Sequence, residues 1–230
     1  MEYFLEASDA AFRLIFSLDR EVYAIVWTSL YISLTAALFA AIVSVPAGIF
    51  IALNDFPGKA LLLQILNTLM ALPTVVVGLL LYGLLTRQGP AGELGMLYTP
   101  AAMIIGQFIL ITPIMCNLSV STVSSADARL LMTCRSLGAG TWQQVLVFIS
   151  ELRLGLMAAV ITGFGRAIGE VGVAMMLGGN IEGFTRTMTT AIALETSKGE
   201  FELALALGIL LLAVAFIVNG LLFQLQRKSA

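Results

Sequence analysis

The sequence contains no histidine, only two cysteines, and charged side chains at only 11% of its 230 residues. Histidine and clustered cysteine supply most protein ligands for zinc and haem, so neither a metal site nor a bound cofactor is expected in this chain. Cys116 lies in an apolar run and Cys134 in a polar segment, which argues against a disulfide between them. The 12 lysines and arginines form no basic patch, so nucleic-acid binding is not expected.

The sequence is rich in long runs of apolar residues. Hydrophobic residues make up 59% of the chain and the mean hydropathy is +0.98, whereas a soluble domain carries charge on about a quarter of its residues. A helix needs about 20 apolar residues to cross the hydrocarbon core of a bilayer. Five runs with few or no charges are long enough, at 22–54, 60–86, 94–126, 154–181 and 203–226. The sequence therefore predicts an all-α polytopic membrane protein with five transmembrane helices embedded in a lipid bilayer.

The membrane domain is expected to cover residues 22–226, between an N-terminal segment at 1–21 and a short tail at 227–230. The first segment lacks the basic region of a cleavable signal peptide, so the first span is expected to remain. One helical side of this segment is apolar, which favours a place at the outer membrane interface, although a poorly ordered tail explains it equally well.

The charges that flank the spans indicate the orientation. Five spans place the two termini on opposite sides of the membrane. One set of flanks holds six basic residues, namely Lys59, Arg129, Arg135, Arg153, Arg227 and Lys228. The other holds five, namely Arg13, Arg20, Arg87, Arg186 and Lys198. Since cytoplasmic flanks carry the excess of Lys and Arg, the N-terminus is predicted outside and the C-terminus in the cytoplasm.

Three prolines and the lack of an internal repeat bear on how a conduit would form. Pro46, Pro73 and Pro113 each fall inside one of the first three runs. Such prolines bend helices, either around an opening or simply for packing. Many transporters enclose a path between two related halves of one chain. Since no such repeat is visible here, a second copy of this chain is expected to supply the other half.

A polar segment between the third and fourth spans, at about residues 124–148, predicts two short helices on the inner face. Leu130, Cys134 and Leu137 recur at helical spacing, and Gly138 suits the end of that helix. Thr141 and Gln144 have the spacing of a capping box that starts the second helix. We call residues 124–148 the inner knob. It is either a structured loop or a docking element for a cytoplasmic protein.

Arg166 and Glu170 lie four residues apart in a glycine-dotted stretch of the fourth run. A charge within hydrocarbon costs roughly 2.5–3.5 kcal/mol even on the lenient insertion scale. The two charges either neutralise one another and fix the helix to its neighbours, or Arg166 offers a weak positive field to a dianion while Glu170 prevents tight trapping. Three glycines are expected to form a small-residue packing face, namely Gly165, Gly169 and Gly172. At the outer mouth, the candidates for contact with an anion or a binding protein are Asn180, Thr187 and Thr189; a solvated loop is the alternative.

The inner knob resembles the cytoplasmic loop of bacterial ABC importer permeases of the type I class, which carries an E-A-A-x(3)-G motif. The glycine corresponds to Gly138, followed by apolar residues at similar spacing. Two departures are plain: residues 132–134 read Met-Thr-Cys where Glu-Ala-Ala is usual, and Glu151 stands where a proline is usual. The resemblance implies a coupling helix that contacts an ATPase. The residues assigned to that contact are Asp127, Arg129, Leu130, Arg135, Leu137, Gly138, Ala139 and Trp142.

Other stretches are similar to the oxyanion branch of the same class, which carries sulfate, molybdate or tungstate. They are residues 72–78 (LPTVVVG), 164–172 (FGRAIGEVG) and 178–189. Their amino-acid sequence most resembles that of the tungstate permeases. The resemblance implies a homodimer in a bacterial or archaeal plasma (inner) membrane, served by two cytoplasmic ATPases and an extracytoplasmic oxyanion-binding protein. The chain has no G-x-x-x-x-G-K-[ST] motif, so ATP and Mg²⁺ are expected on the partner ATPase and this chain is not expected to be an enzyme.

Other functions stay open at this point. The cargo is expected to be tungstate, with molybdate or sulfate as the alternative. A stand-alone secondary anion transporter or channel would use Arg166 and Glu170 as a charge relay, but it has no need of the inner knob. A structural membrane subunit would tolerate changes at Leu137 or Gly138 without loss of transport.

Overall fold

The computed structural model describes residues 12–13 and 20–228, except for the side chains of 222, 223 and 225–228. Ten α-helices and one 3-10 turn (Gly92–Leu94) make up the part from residue 20 onward, and no strand occurs in the described residues. The helices are α1 Arg20–Leu53, α2 Lys59–Met70, α3 Thr74–Leu85, α4 Pro100–Ser124, α5 Ala128–Ser136, α6 Thr141–Glu151, α7 Arg153–Ile168, α8 Gly172–Gly178, α9 Met188–Lys198 and α10 Phe201–Lys228. The all-α prediction is confirmed.

Three of these helices, α1, α4 and α10, are long and apolar enough to cross a membrane by themselves. Two further spans result if each bent pair of helices counts as one. The bend is 97° between α2 and α3, and 82° between α6 and α7. The described chain thus has between three and five spans by length and composition, and the upper number agrees with the prediction.

The second and fourth apolar runs are not single helices, which corrects the simplest form of the prediction. In the second run, α2 ends at Met70 and α3 begins at Thr74. Pro73 explains this break, because it lacks an N–H and disfavours helical geometry at the residue before it. In the fourth run, α7 ends at Ile168 and α8 begins at Gly172. Pro46 and Pro113, in contrast, lie inside continuous helices.

The main core forms where α1 crosses α4, with α7 and α8 packed beside them. Gly48 allows this close approach: a Cβ there would lie 2.6 Å from Ser119 Cβ and 2.7 Å from the carbonyl oxygen of Cys116. A hydrogen bond from Ser44 Oγ to the Thr112 carbonyl oxygen (3.0 Å) ties the same two helices together. The two longest well-packed spans therefore act as one rigid unit.

A second buried cluster connects the inner knob to the spans. It joins Cys134 of α5 and Phe148 of α6 to Ile49 of α1 and Val123 of α4. The knob is therefore packed directly against the ends of α1 and α4 that lie nearest to it. The two cysteines, Cys116 and Cys134, are both buried and not bonded to each other.

The first helix covers the start of the first apolar run. Helix α1 begins at Arg20, two residues before that run, and the start of the membrane domain at residue 22 stays a prediction. The interfacial helix predicted within residues 1–21 lies almost wholly outside the described residues. A short turn at residues 54–58 follows α1, with Gly58 in the left-handed region at φ 91°.

Candidate functional site

Arg166 and Glu170 form the ion pair that their spacing predicts, with 2.7 Å between Arg166 Nη1 and Glu170 Oε2. Arg166 lies in the last turn of α7, but Glu170 lies beyond it, in the break before α8. The Glu170 side chain is 3% exposed, whereas that of Arg166 is 41% exposed. The guanidinium of the pair therefore lies partly on the exposed surface of α7, and the carboxylate is buried in the protein interior.

Glu170 organises the break between α7 and α8. Its Oε1 accepts a hydrogen bond from the backbone N–H of Val173 (3.1 Å), in the first turn of α8. A carboxylate is favoured there because the first N–H groups of a helix lack partners within the helix. Its backbone carbonyl accepts a hydrogen bond from Thr189 Oγ1 (2.8 Å) at the start of α9. One buried residue thus links three helices, which is the fixing role expected of the pair. A role of Arg166 towards an anion stays a prediction.

The glycine packing face predicted beside this pair is present only at Gly172. A Cβ on Gly172 would lie 2.8 Å from Thr74 Oγ1, so α8 and α3 do meet closely there. No heavy atom lies within 4 Å of a Cβ on Gly165, and Gly169 would meet only the carbonyl oxygen of Gly165. Within the described chain, Gly165 and Gly169 therefore contact no neighbouring helix, and packing at these two glycines stays a prediction.

The glycines that do permit close packing were missed by sequence reasoning. A Cβ on Gly106 would lie 2.3 Å from Val173, one on Gly163 would lie 2.2 Å from Met115, and one on Gly178 would lie 2.5 Å from Met103. Gly48 does the same between α1 and α4. They are scattered over several helices, so no periodic signal in the sequence marks them.

Thr187 and Thr189, predicted at the outer mouth, are buried and committed to local structure. Thr187 is the N-cap of α9, where its hydroxyl accepts a hydrogen bond from the N–H of Thr190. Thr189 bonds the Glu170 carbonyl, as described above. The solvated-loop alternative is therefore wrong for both residues. Both side chains support local structure here, and their contact with a passing anion stays a prediction.

Asn180 lies after α8 in the left-handed region, at φ 51°. Its Oδ1 is buried and has no hydrogen-bond partner among the described residues. Non-glycine residues adopt this backbone conformation rarely, and asparagine is one of the few that do so readily. The backbone requirement accounts for Asn180, and its role in an outer mouth stays a prediction.

The inner knob forms two short helices, as predicted, but its capping differs in detail. Asp127 is the N-cap of α5, with Oδ1 accepting from the Arg129 N–H (2.9 Å). Gly138 ends that helix at φ 73°. The capping box of α6 is shifted by one residue from the predicted one, because Gln143 Oε1 accepts from the N–H of Gly140 (2.8 Å). Thr141 is therefore the first residue of α6 and not its cap.

One apolar side of the knob packs against the spans, and other apolar residues of the knob are exposed. Cys134 is buried and Leu130 and Ala139 are half-buried against the spans. Leu137 was predicted on that same side, but it follows the end of α5 and is 80% exposed. Trp142 is 64% exposed, and exposed neighbours on the knob include Met132, Arg129 and Arg135. Contact of these exposed side chains with an ATPase stays a prediction.

Two asparagines inside the spans, which the sequence reasoning passed over, also face each other. Asn117 of α4 donates through Nδ2 to Asn67 Oδ1 of α2, and lies 2.9 Å from the sulfur of Met70. The signal that would have found them is their position, since amides are rare within otherwise apolar helices.

The comparisons with known proteins agree with one another. The family described as "Binding-protein-dependent transport system inner membrane component" matches residues 44–230. A tungstate uptake system permease protein, TupB, of Peptoclostridium acidaminophilum is 42% identical over 228 residues, covering 99% of this chain and 100% of that protein. The TupB of Campylobacter jejuni is 37% identical over 227 residues, covering 99% of this chain and 95% of that protein.

More distant relatives extend the same picture. The molybdenum transport system permease protein ModB of Escherichia coli is 29% identical over 220 residues, covering 89% of this chain and 96% of that protein. Among solved structures, a chain of the MetNI methionine ABC transporter in an inward-facing conformation matches with a TM-score of 0.74 at 17% identity. The match covers 94% of this chain and 98% of that chain, and at this identity it supports the shared fold alone.

Proposed function

The chain belongs to the family of binding-protein-dependent transport system inner membrane components, and from that premise we propose that it is the permease of an ABC importer whose cargo is tungstate. The observation that carries the proposal is the 42% identity to a tungstate uptake permease over the full length of both chains. The ModB relative, at 29% identity, makes molybdate the second candidate. Both anions are tetrahedral dianions, so the same path would serve either.

The inner knob supports coupling to a cytoplasmic ATPase. Leu137 and Trp142 are exposed although apolar, while other knob residues, including Cys134 and Phe148, pack on α1 and α4. A partner seated on this patch would therefore push on the inner ends of two spans. The chain itself binds no cofactor in this proposal: ATP and Mg²⁺ are held by two partner ATPases. A stand-alone secondary transporter would have no use for such a surface.

The path itself is proposed to form between two copies of the chain, with the N-terminus outside and the C-terminus in the cytoplasm. Arg166 is partly exposed on the open face of α7, and its counterion Glu170 is buried behind it. A half-neutralised guanidinium attracts a dianion without holding it tightly, which transport requires. Closure of the ATPases would draw the two knobs together and rotate the spans, exposing Arg166 alternately to each side. An extracytoplasmic binding protein would deliver the anion.

Uptake of labelled tungstate into proteoliposomes tests this function. The vesicles contain the chain with its partner ATPase and binding protein, and molybdate and sulfate serve as competitors. ATP-dependent accumulation that resists both competitors is the expected result. Accumulation without the ATPase would replace the importer with a secondary transporter, whereas uptake abolished by molybdate or sulfate would change the cargo.

Leu137→Asp provides the coupling arm of the same experiment. Leu137 is exposed, so the variant is expected to fold normally and to lose ATP-driven uptake. The control must lie outside the spans. A charge within α1, for example in Leu38→Asp, would disfavour insertion of that helix into the membrane. Ser136→Asp is the matched control, since Ser136 is an exposed neighbour at the end of α5. Full ATP-driven uptake by Leu137→Asp would mean that Leu137 does not couple the knob to an ATPase.

A further inference from the structure

The amide pair of Asn67 and Asn117 lies in helices that are otherwise mostly apolar. Asn67 is about two turns into α2, and Asn117 is about two turns from the end of α4. Both therefore lie roughly 10–12 Å from the helix ends that face the inner knob. In the proposed orientation this is the inner half of the membrane. Polar side chains at such a depth face a protein interior or a water-filled path, because amides are poorly solvated by lipid.

The hydrogen bonds of the pair leave one donor group free. Asn117 Nδ2 donates to Asn67 Oδ1 and also contacts the Met70 sulfur. Asn67 is exposed, and among the side chains and backbone that the structure describes its own Nδ2 has no hydrogen-bond acceptor. The neighbouring Thr68 is different, because its hydroxyl already bonds the backbone carbonyl of Gln64 (2.9 Å). The pair thus orients one amide, by holding its oxygen, so that its N–H₂ group points away from the contact.

We propose that this pair is a second anion contact in the translocation path, where the Asn67 amide donates hydrogen bonds to the oxygens of a tetrahedral oxyanion. The inference rests on the proposed function and adds a second anion-binding position to the translocation path. Arg166 lies near the far end of α7 from the knob, so the two contacts are at different depths. A neutral donor binds an oxyanion more weakly than a guanidinium does. An anion that leaves Arg166 would therefore meet a weaker site on the inner side, from which it escapes readily.

Transport kinetics of Asn67 variants test the proposal in the reconstituted complex with its ATPase and binding protein. The binding protein captures the anion first, so a contact inside the path alters the maximal rate and not the half-saturating concentration. Asn67→Leu removes the donor at similar size and is expected to lower the maximal rate about tenfold. Asn67→Asp keeps the shape, repels the anion and is expected to lower the rate further. Thr68→Val, the matched control, is expected to transport as the wild type does.

The alternative is that the amides contact the second copy of the chain. In that case both Asn67 variants would lose transport equally and would also lose the dimer, as measured by light scattering in detergent. That result, or full transport by Asn67→Leu, would overturn the anion contact. A wild-type complex that accumulates neither tungstate, molybdate nor sulfate would instead refute the proposed function, and the inference with it.

Discussion

The unequal burial of the Arg166–Glu170 pair predicts that its two members respond differently to neutralisation. Glu170 is 3% exposed and Arg166 is 41% exposed. In Arg166→Gln, a buried carboxylate keeps its bond from the Val173 N–H but loses its counterion. Leaving a buried charge without its counterion lowers the free energy of unfolding by about 3 kcal/mol. In Glu170→Gln, the amide oxygen still accepts from Val173 and the exposed guanidinium is hydrated, so the loss is about 1 kcal/mol.

These free energies convert into measurable shifts of the unfolding midpoint. For a chain of this size, 1 kcal/mol corresponds to roughly 2–4 °C. Arg166→Gln is therefore expected to unfold about 6–12 °C below the wild type, and Glu170→Gln about 2–4 °C below it. The double variant should lose no more than Glu170→Gln alone, because neither charge of the pair remains in it. The assay is thermal unfolding of the purified chain in lipid nanodiscs, followed by tryptophan fluorescence.

Arg153→Gln is the control for removing one arginine from α7. Arg153 is exposed and forms no ion pair with the described residues, so its loss should change the free energy of unfolding by no more than about 0.5 kcal/mol. The reasoning is refuted if Glu170→Gln is the more damaging change, or if the two single losses simply add in the double variant. The first result would mean that loss of Arg166 does not strand a buried charge, and the second that the two side chains do not interact energetically.

Three further outcomes are expected. Gly48→Ala should destabilise the chain by about 1–3 kcal/mol because its methyl group meets Ser119 and a backbone oxygen, whereas Gly165→Ala should be tolerated; thermal unfolding compares them. Thr187→Ala should cost about 1 kcal/mol through loss of the α9 cap, and an unchanged midpoint would contradict that role. Trp142→Ala should abolish most binding of the partner ATPase while leaving the midpoint within about 2 °C, since the side chain lies on the surface; co-purification of a full complement of ATPase would contradict it.

The length of the apolar runs was enough to predict an all-α membrane fold. Unpaired backbone N–H and C=O groups are costly in lipid, so few structures other than helices can span a bilayer. The bend between α2 and α3 was also open to prediction, since Pro73 marks it. The 82° bend at Leu152 was not, because neither proline nor glycine stands there. That bend depends on how α6 packs beneath the spans, a tertiary effect that the local sequence does not encode.

The site was predictable where its chemistry is local in sequence. Arg166 and Glu170 were found because two charges four residues apart are conspicuous in an apolar run. The contact between Glu170 and Thr189 was not found, since it joins positions on separate helices. Leu137 was misplaced for a related reason: helical spacing was extended across a residue at which the helix had already ended.

Burial of both native thiols has a practical consequence for mapping the chain across the membrane. Only two cysteines exist, and both are shielded from solvent, so the unmodified protein offers a nearly blank background to thiol-directed reagents. Single reporters can then be introduced without first removing Cys116 or Cys134 from the core. A membrane-impermeant maleimide applied to intact cells should label Arg87→Cys and spare Arg129→Cys, whereas the opposite pattern would invert the protein in its bilayer.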